Sequence, residues 1–230
     1  MKTITRWLRN ILIFFFTSTI LSVVILKYVP VYITPLMLIR AVEAMASGKD
    51  PAINHRWVPL EKISHNLPQA VMASEDNLFL KHGGFDLEQI QKAQLEAQEG
   101  KRQRGASTIS QQTARNVFLW QKRSWLRKGL EAYFTFLIEK IWGKERIMEV
   151  YLNSIEMGRG IYGADAVARI NFNTTPDKLT KDQCAYIAVS LPSPLKRDSA
   201  HPTARMRKMH NTVLKRMKQI DEFPRDVCAK

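Results

Sequence analysis

Two acidic side chains stand side by side in SEDNLFLKHGGFD, residues 74–86: Glu75 and Asp76, followed by His82 and the Gly83-Gly84 pair. A carboxylate can accept a proton from a reacting group, and a histidine can share one. Surface helices also carry acidic pairs, and turns also carry Gly-Gly. Here, though, the charged pair ends an apolar, helix-like run and leads straight into the glycine turn.

A second group of chemistry-bearing residues lies in RGASTISQQTARN, residues 104–116. Ser107, Thr108, Gln111, Gln112, Arg115 and Asn116 offer hydroxyl, amide and guanidinium donors. From Lys101 to Leu130 there is no Asp or Glu, yet eight Lys or Arg occur. Donors free of competing negative charge suit oxyanions, and arginine forks match phosphate oxygens. Composition alone leaves a second reading open: an ordinary helix start with Ser107 or Thr108 as its cap. The stretch lacks the G-x-x-x-x-G-K-[ST] spacing of a Walker loop.

A third group follows in RSWLRKGLE. At helical spacing Arg123, Arg127 and Glu131 align along one border of an apolar stripe over 126–141, with Lys128 beside them. Such a pair is either a surface ion pair of little worth or a carboxylate held among arginines beside an anion-seeking loop.

The elements that must position these groups are helices. Pro68 suits a first turn in PQAVMASE, and LEQIQKAQLEAQ (87–98) is polar but helix-prone. Leu126, Leu130, Tyr133, Phe134, Leu137 and Ile141 recur at spacings of three and four over about 124–142. Further helices are predicted at 144–153, 164–171, 180–190 and 203–219, the last with a stripe of Met206, Met209, Val213 and Met217. No long alternating strand run is found, so a mostly α fold is predicted. Cys184 lies in an apolar run and reads as core. With Cys228 it has neither metal-ligand spacing nor the number for a disulfide framework, and whether the two pair is left open.

The N-terminus bears on compartment. Residues 10–26 carry no charge and follow Lys2, Arg6 and Arg9; the run lies at the short end of the roughly 17–25 residues that span a bilayer. With no small-residue cleavage site near its end, it reads as an uncleaved signal anchor with the N-terminus cytoplasmic. The expected organisation is a short cytoplasmic N-terminus (1–9), an anchor (10–31), a juxtamembrane connector (32–60) and a catalytic domain (61–230). A net charge of +14 favours an anionic partner. A domain outside the cytoplasm argues against nucleic acid.

Taken together, the motifs resemble those of the peptidoglycan glycosyltransferases of family 51. E-D-x-x-F-x-x-H-x-G is met by Glu75, Asp76, Phe79, His82 and Gly84. G-x-S-T-I-x-Q-Q is met by Gly105, Ser107, Thr108, Ile109, Gln111 and Gln112, and R-x-x-x-R-K-x-x-E by Arg123, Arg127, Lys128 and Glu131. KERIMEVYLN (144–153) and GRGIYGADAVARINF (158–172) resemble two further signatures, in order. Three positions depart from the pattern: Arg115 where the family usually has Lys, Asn171 in place of an aromatic, and Met148 in place of a branched aliphatic. SPLK (193–196) fits the S-x-x-K of penicillin-binding enzymes, but no S-D-N or K-T-G follows it, and it reads as a connector.

The resemblance implies a lysozyme-like helical fold and polymerisation of lipid II into β-1,4 glycan strands with release of undecaprenyl pyrophosphate. It implies the monofunctional form, in the bacterial inner membrane, with other cell-wall synthesis proteins as candidate partners. Glu75 is then the expected proton acceptor, held at a cleft rim by the helix end and glycine turn. Asp76, Phe79 and His82 are expected to bind substrate, Asp76 and His82 by orienting the loop rather than by reacting. Ser107, Thr108, Gln111, Gln112, Arg115, Asn116, Arg123, Arg127 and Lys128 are expected to stabilise the departing diphosphate. Glu131 would hold the arginines, help a divalent cation (Mg or Mn) bind with the diphosphate, or assist departure.

Overall fold

The computed structural model describes residues 2–100, 105, 107–224 and 226–228. Residues 101–104 and Ala106, part of the basic stretch, lie outside the described residues. The chain begins with α1 (Lys2–Tyr28), α2 (Pro35–Ala46) and a two-residue strand β1 (Asn54–His55). Then come α3 (Asn66–Glu75), α4 (Leu87–Gln98), α5 (Ile109–Phe118), α6 (Trp125–Ile141) and α7 (Gly143–Ser154). A small hairpin of β2 (Glu156–Gly158) and β3 (Ile161–Tyr162) precedes α8 (Gly163–Phe172), α9 (Lys181–Ser190) and α10 (Ala204–Arg216). The mostly α expectation holds.

The helices start where side chains can cap them. Thr34, Asp86, Ser124 and Thr203 each accept a hydrogen bond from a first-turn backbone N–H, and Thr108 and Thr180 form full capping boxes with Gln111 and Gln183. Their apolar faces meet in one core, in which Tyr151, Phe79, Ile63, Leu67, Met72, Ile109, Ile138, Ile147 and Met148 are fully buried. Met148, one departure from the family pattern, thus fills core space. Asn171, another, donates to Ser199 Oγ at 2.8 Å. Cys184 and Cys228 are buried free thiols.

The connector expectation for 32–60 needs correction. Residues 35–46 are helical, and Leu36 and Met37 pack against Tyr162. β1 pairs in parallel with β3, which pairs antiparallel with β2. Asn153 of α7 closes the join: it accepts from the Val58 N–H at 2.8 Å and donates to the Val58 carbonyl at 2.9 Å. The segment belongs to the folded domain because its backbone polar groups are paired there.

α1 is long and apolar enough, over Thr3–Tyr28, to cross a membrane. Its helix starts before the uncharged run and ends at Tyr28, short of the expected boundary at 31. Its second half docks on the domain. Thr19 Oγ1 lies 2.9 Å from the Tyr133 hydroxyl, and Trp142 Nε1 donates to the Val23 carbonyl at 2.7 Å. Arg146 Nη2 donates to the carbonyls of Leu26 and Val29 at 2.8 and 2.7 Å. Carbonyls of a last helical turn lack intrahelical partners, and a guanidinium supplies them.

Candidate active site

α3 ends at Glu75, and Asp76 caps it with non-helical backbone. Asp76 then ties three segments together. Its Oδ2 accepts from the Ile109 N–H at 3.0 Å, at the start of α5, and its Oδ1 lies 2.8 Å from His82 Nε2. The Gly84 N–H donates to His82 Nδ1 at 3.1 Å, so Nε2 carries the proton given to Asp76. Thr108 closes the loop by donating to the Gly84 carbonyl at 2.7 Å. Gly84 sits at φ +96°, and an added Cβ would lie 2.8 Å from Thr135 Cγ2 and 2.9 Å from Glu139 Cγ. Only glycine fits there.

This framework leaves Glu75 facing a cleft of about 890 Å³. Ser74, Ser107, Gln112, Arg115, Arg123, Arg197 and Arg205 also line it. Gln112 Nε2 donates to Glu75 Oε2 at 3.0 Å. Burial raises the Glu75 carboxyl above its ordinary value, while the hydrogen bonds from Gln112 and Ser74 and the charge of Arg197 pull the other way. A carboxyl poised in this manner holds a proton more readily than a solvated one.

The cations form a connected group. Burial lowers the Arg115 pKa from its ordinary value, and the charges of Arg127 and Arg123 add to that while Glu131 opposes it. Arg115 Nε is buried with no hydrogen-bond partner among the described residues. Arg115 also lines the cleft, where a guanidinium crowded by like charge is suited to receive an anion. Arg127 Nη1 donates to Glu131 Oε2 at 2.7 Å, and Lys128 Nζ pairs with Glu131 Oε1. The Glu131 side chain is 1 % exposed and that of Arg127 9 %, so the surface-pair reading fails: this pair is buried.

The expected site residues therefore separate. Glu75, Ser107, Gln112, Arg115 and Arg123 come together on the cleft, with the Arg127–Glu131–Lys128 cluster coupled to Arg115. Asp76 and His82 hold the loop. Thr108 and Gln111 form the capping box of α5, with Thr108 the cap that the helix-start reading offered. Asn116 is buried, its Nδ2 without a partner among the described residues. Phe79 needs correction: it is fully buried, its ring 4.6 Å beneath Lys144 Nζ, and cannot reach a substrate.

Arg197, Arg205 and Met209 were missed. They come from the turn segment after α9 and from α10, whose Met206 and Val213, with Met217 just past its end, pack into the core. The basic composition of those segments was the available signal, but no local pattern tells which of many cations turns inward. As for a metal, both Glu131 oxygens are engaged by cations. Among the described residues no group of three His, Cys, Asp or Glu side chains could hold an ion. As placed, Glu131 is committed to its ion pairs.

With this geometry in view, the comparisons define the class. Residues 42–218 match the transglycosylase family, and the chain belongs to it. The match begins inside α2, in keeping with a folded domain that starts before residue 61.

Curated relatives of similar length carry one name, biosynthetic peptidoglycan transglycosylase. The chain is 58 % identical to that of Bacteroides thetaiotaomicron over 223 residues, covering 97 % of this chain and 90 % of the relative. It is 51 % identical to the Caulobacter vibrioides protein, covering 85 % and 84 %. To the Pseudomonas syringae pv. syringae protein it is 43 % identical, covering 97 % and 95 %.

Proposed function

We propose that this chain is a membrane-anchored peptidoglycan transglycosylase that polymerises lipid II. The observation that carries the reading is one cleft holding both a buried-edge carboxylate, Glu75, and the cations Arg115, Arg123, Arg197 and Arg205. The relatives' names point to peptidoglycan, and lipid II as substrate is what the motif resemblance implies.

In this mechanism the 4-hydroxyl of one lipid-linked disaccharide gives its proton to Glu75 as its oxygen attacks C1 of the growing chain. The C1–O bond to the diphosphate breaks, and its electron pair leaves with undecaprenyl pyrophosphate. Displacement from the opposite face inverts C1 and yields the β-1,4 link. The leaving group departs as an anion and needs donors already aimed at it. Arg115 and Arg123, with Ser107, are the candidates on the cleft. Glu131 acts through its ion pairs, holding Arg127 near Arg115 and pairing with Lys128. A divalent cation would travel with the diphosphate oxygens rather than reside on the protein.

The basic residues Arg6 and Arg9 near the start of α1 favour a cytoplasmic N-terminus, with the domain on the outer face of the inner membrane. Both substrates are lipid-linked, so an anchored enzyme meets them in two dimensions. Incubating the purified full chain with lipid II tests the reading. Glycan polymer formed together with free undecaprenyl pyrophosphate is the expected outcome. Release of soluble disaccharide without polymer would make the enzyme a hydrolase.

A further inference from the structure

Tyr151 lies in α7 with its side chain fully buried, and no step above employs it. Its hydroxyl donates to Gln112 Oε1 at 3.4 Å, the one hydrogen bond that hydroxyl makes among the described residues. The other edge of the same amide donates to Glu75 Oε2 at 3.0 Å. A primary amide presents a carbonyl on one side and an N–H pair on the other, and half a turn exchanges them. Turned the wrong way, the Gln112 carbonyl would face the carboxylate, oxygen against oxygen. A buried phenol needs an acceptor for its proton, and the correct amide orientation provides one.

We infer that Tyr151 is a positioning residue: its hydroxyl pins the Gln112 amide with the N–H edge toward Glu75 and so aims that carboxylate at the acceptor hydroxyl. The inference rests on the proposed role of Glu75 as base, and adds to it a side chain that never meets substrate. Without the phenol hydroxyl the amide is free to turn. The N–H bond that favours ionised Glu75 is then lost part of the time, and Glu75 keeps its proton to higher pH. The phenyl ring of a Tyr151→Phe variant still fills the core, so packing is retained.

The experiment compares the full-length enzyme with Tyr151→Phe, Gln112→Leu and the double variant on lipid II, from about pH 5 to about pH 9. In Tyr151→Phe the acid limb of kcat/KM is expected to move upward by about half a pH unit or more. Its kcat should fall roughly tenfold with KM little changed. Gln112→Leu should move the limb in the same direction, and the double variant should add nothing to it, because Tyr151 acts only through the amide. An unmoved limb in Tyr151→Phe, or effects that add in the double variant, would overturn the assignment. Glu75→Gln separates the two claims. If it is inactive while the Tyr151→Phe limb stays put, only the Tyr151 role fails; if it remains active, the base assignment fails and the role of Tyr151 with it.

Discussion

Glu75, at the end of α3, and Arg115, in α5, line the same cleft. Gln112, one turn before Arg115, donates directly to the Glu75 carboxylate at 3.0 Å. On the proposed mechanism, one helix therefore carries both the group that orients the base and a cation for the leaving diphosphate. The capping box at Thr108 fixes where that helix begins, and the Asp76 bond to the Ile109 N–H fixes its start against α3.

Arg115 is expected to contribute to the transition state rather than to the fold. Arg115→Ala should lower kcat/KM by about a hundredfold or more. Its thermal midpoint should hold or rise, since a buried cation crowded by Arg127 and Arg123 is costly to keep. Arg115→Lys keeps the charge and loses the fork, and should retain an intermediate rate. Steady-state kinetics and thermal unfolding of the two variants check this.

Glu131 should behave in the opposite manner. It is the counter-charge of a buried guanidinium, whereas Lys128 is half exposed and gains little from the pair. Glu131→Ala leaves Arg127 buried and unpaired, and should cost about 3–5 kcal/mol in denaturant unfolding. Activity should fall as well, because the cations beside Arg115 lose their fixed places.

The pH dependence of Glu75 has two signs. As a base it must be ionised, so the rate should climb with pH through a midpoint above that of an ordinary carboxyl, given that burial raises its pKa. For stability the direction reverses. The folded state binds this proton more tightly than the unfolded chain, so the contribution is favourable below the ordinary carboxylate range and is lost as pH rises through the folded value. Glu75→Gln stays neutral throughout. It should raise the thermal midpoint modestly at neutral pH, and the difference should vanish in acid.

Much of this was legible in local pattern. α4 spans residues 87–98, as its composition and the Asp86 cap dictate, and α6 follows its apolar stripe to Ile141. The i, i+4 spacing of Arg127 and Glu131 was visible, but whether they faced water depended on what packed over them. Phe79 illustrates the same limit: a motif gives its position, whereas burial under Lys144 is a tertiary fact. The strand β1 has two residues, too few for any alternation to register. It exists because β3, far along the chain, supplies its hydrogen bonds. Arg197 and Arg205 reach the cleft through the packing of α9 and α10, which no spacing rule encodes.

The most direct measurement is lipid II polymerisation by Glu75→Gln, alongside its circular dichroism. The carboxyl has its Gln112 partner and its cleft, and the amide has the same shape without the basicity. The rate should fall about a thousandfold or more, with the helical spectrum unchanged. Polymerisation within tenfold of the unmodified enzyme, by a folded variant, would contradict the assignment of Glu75 as the base.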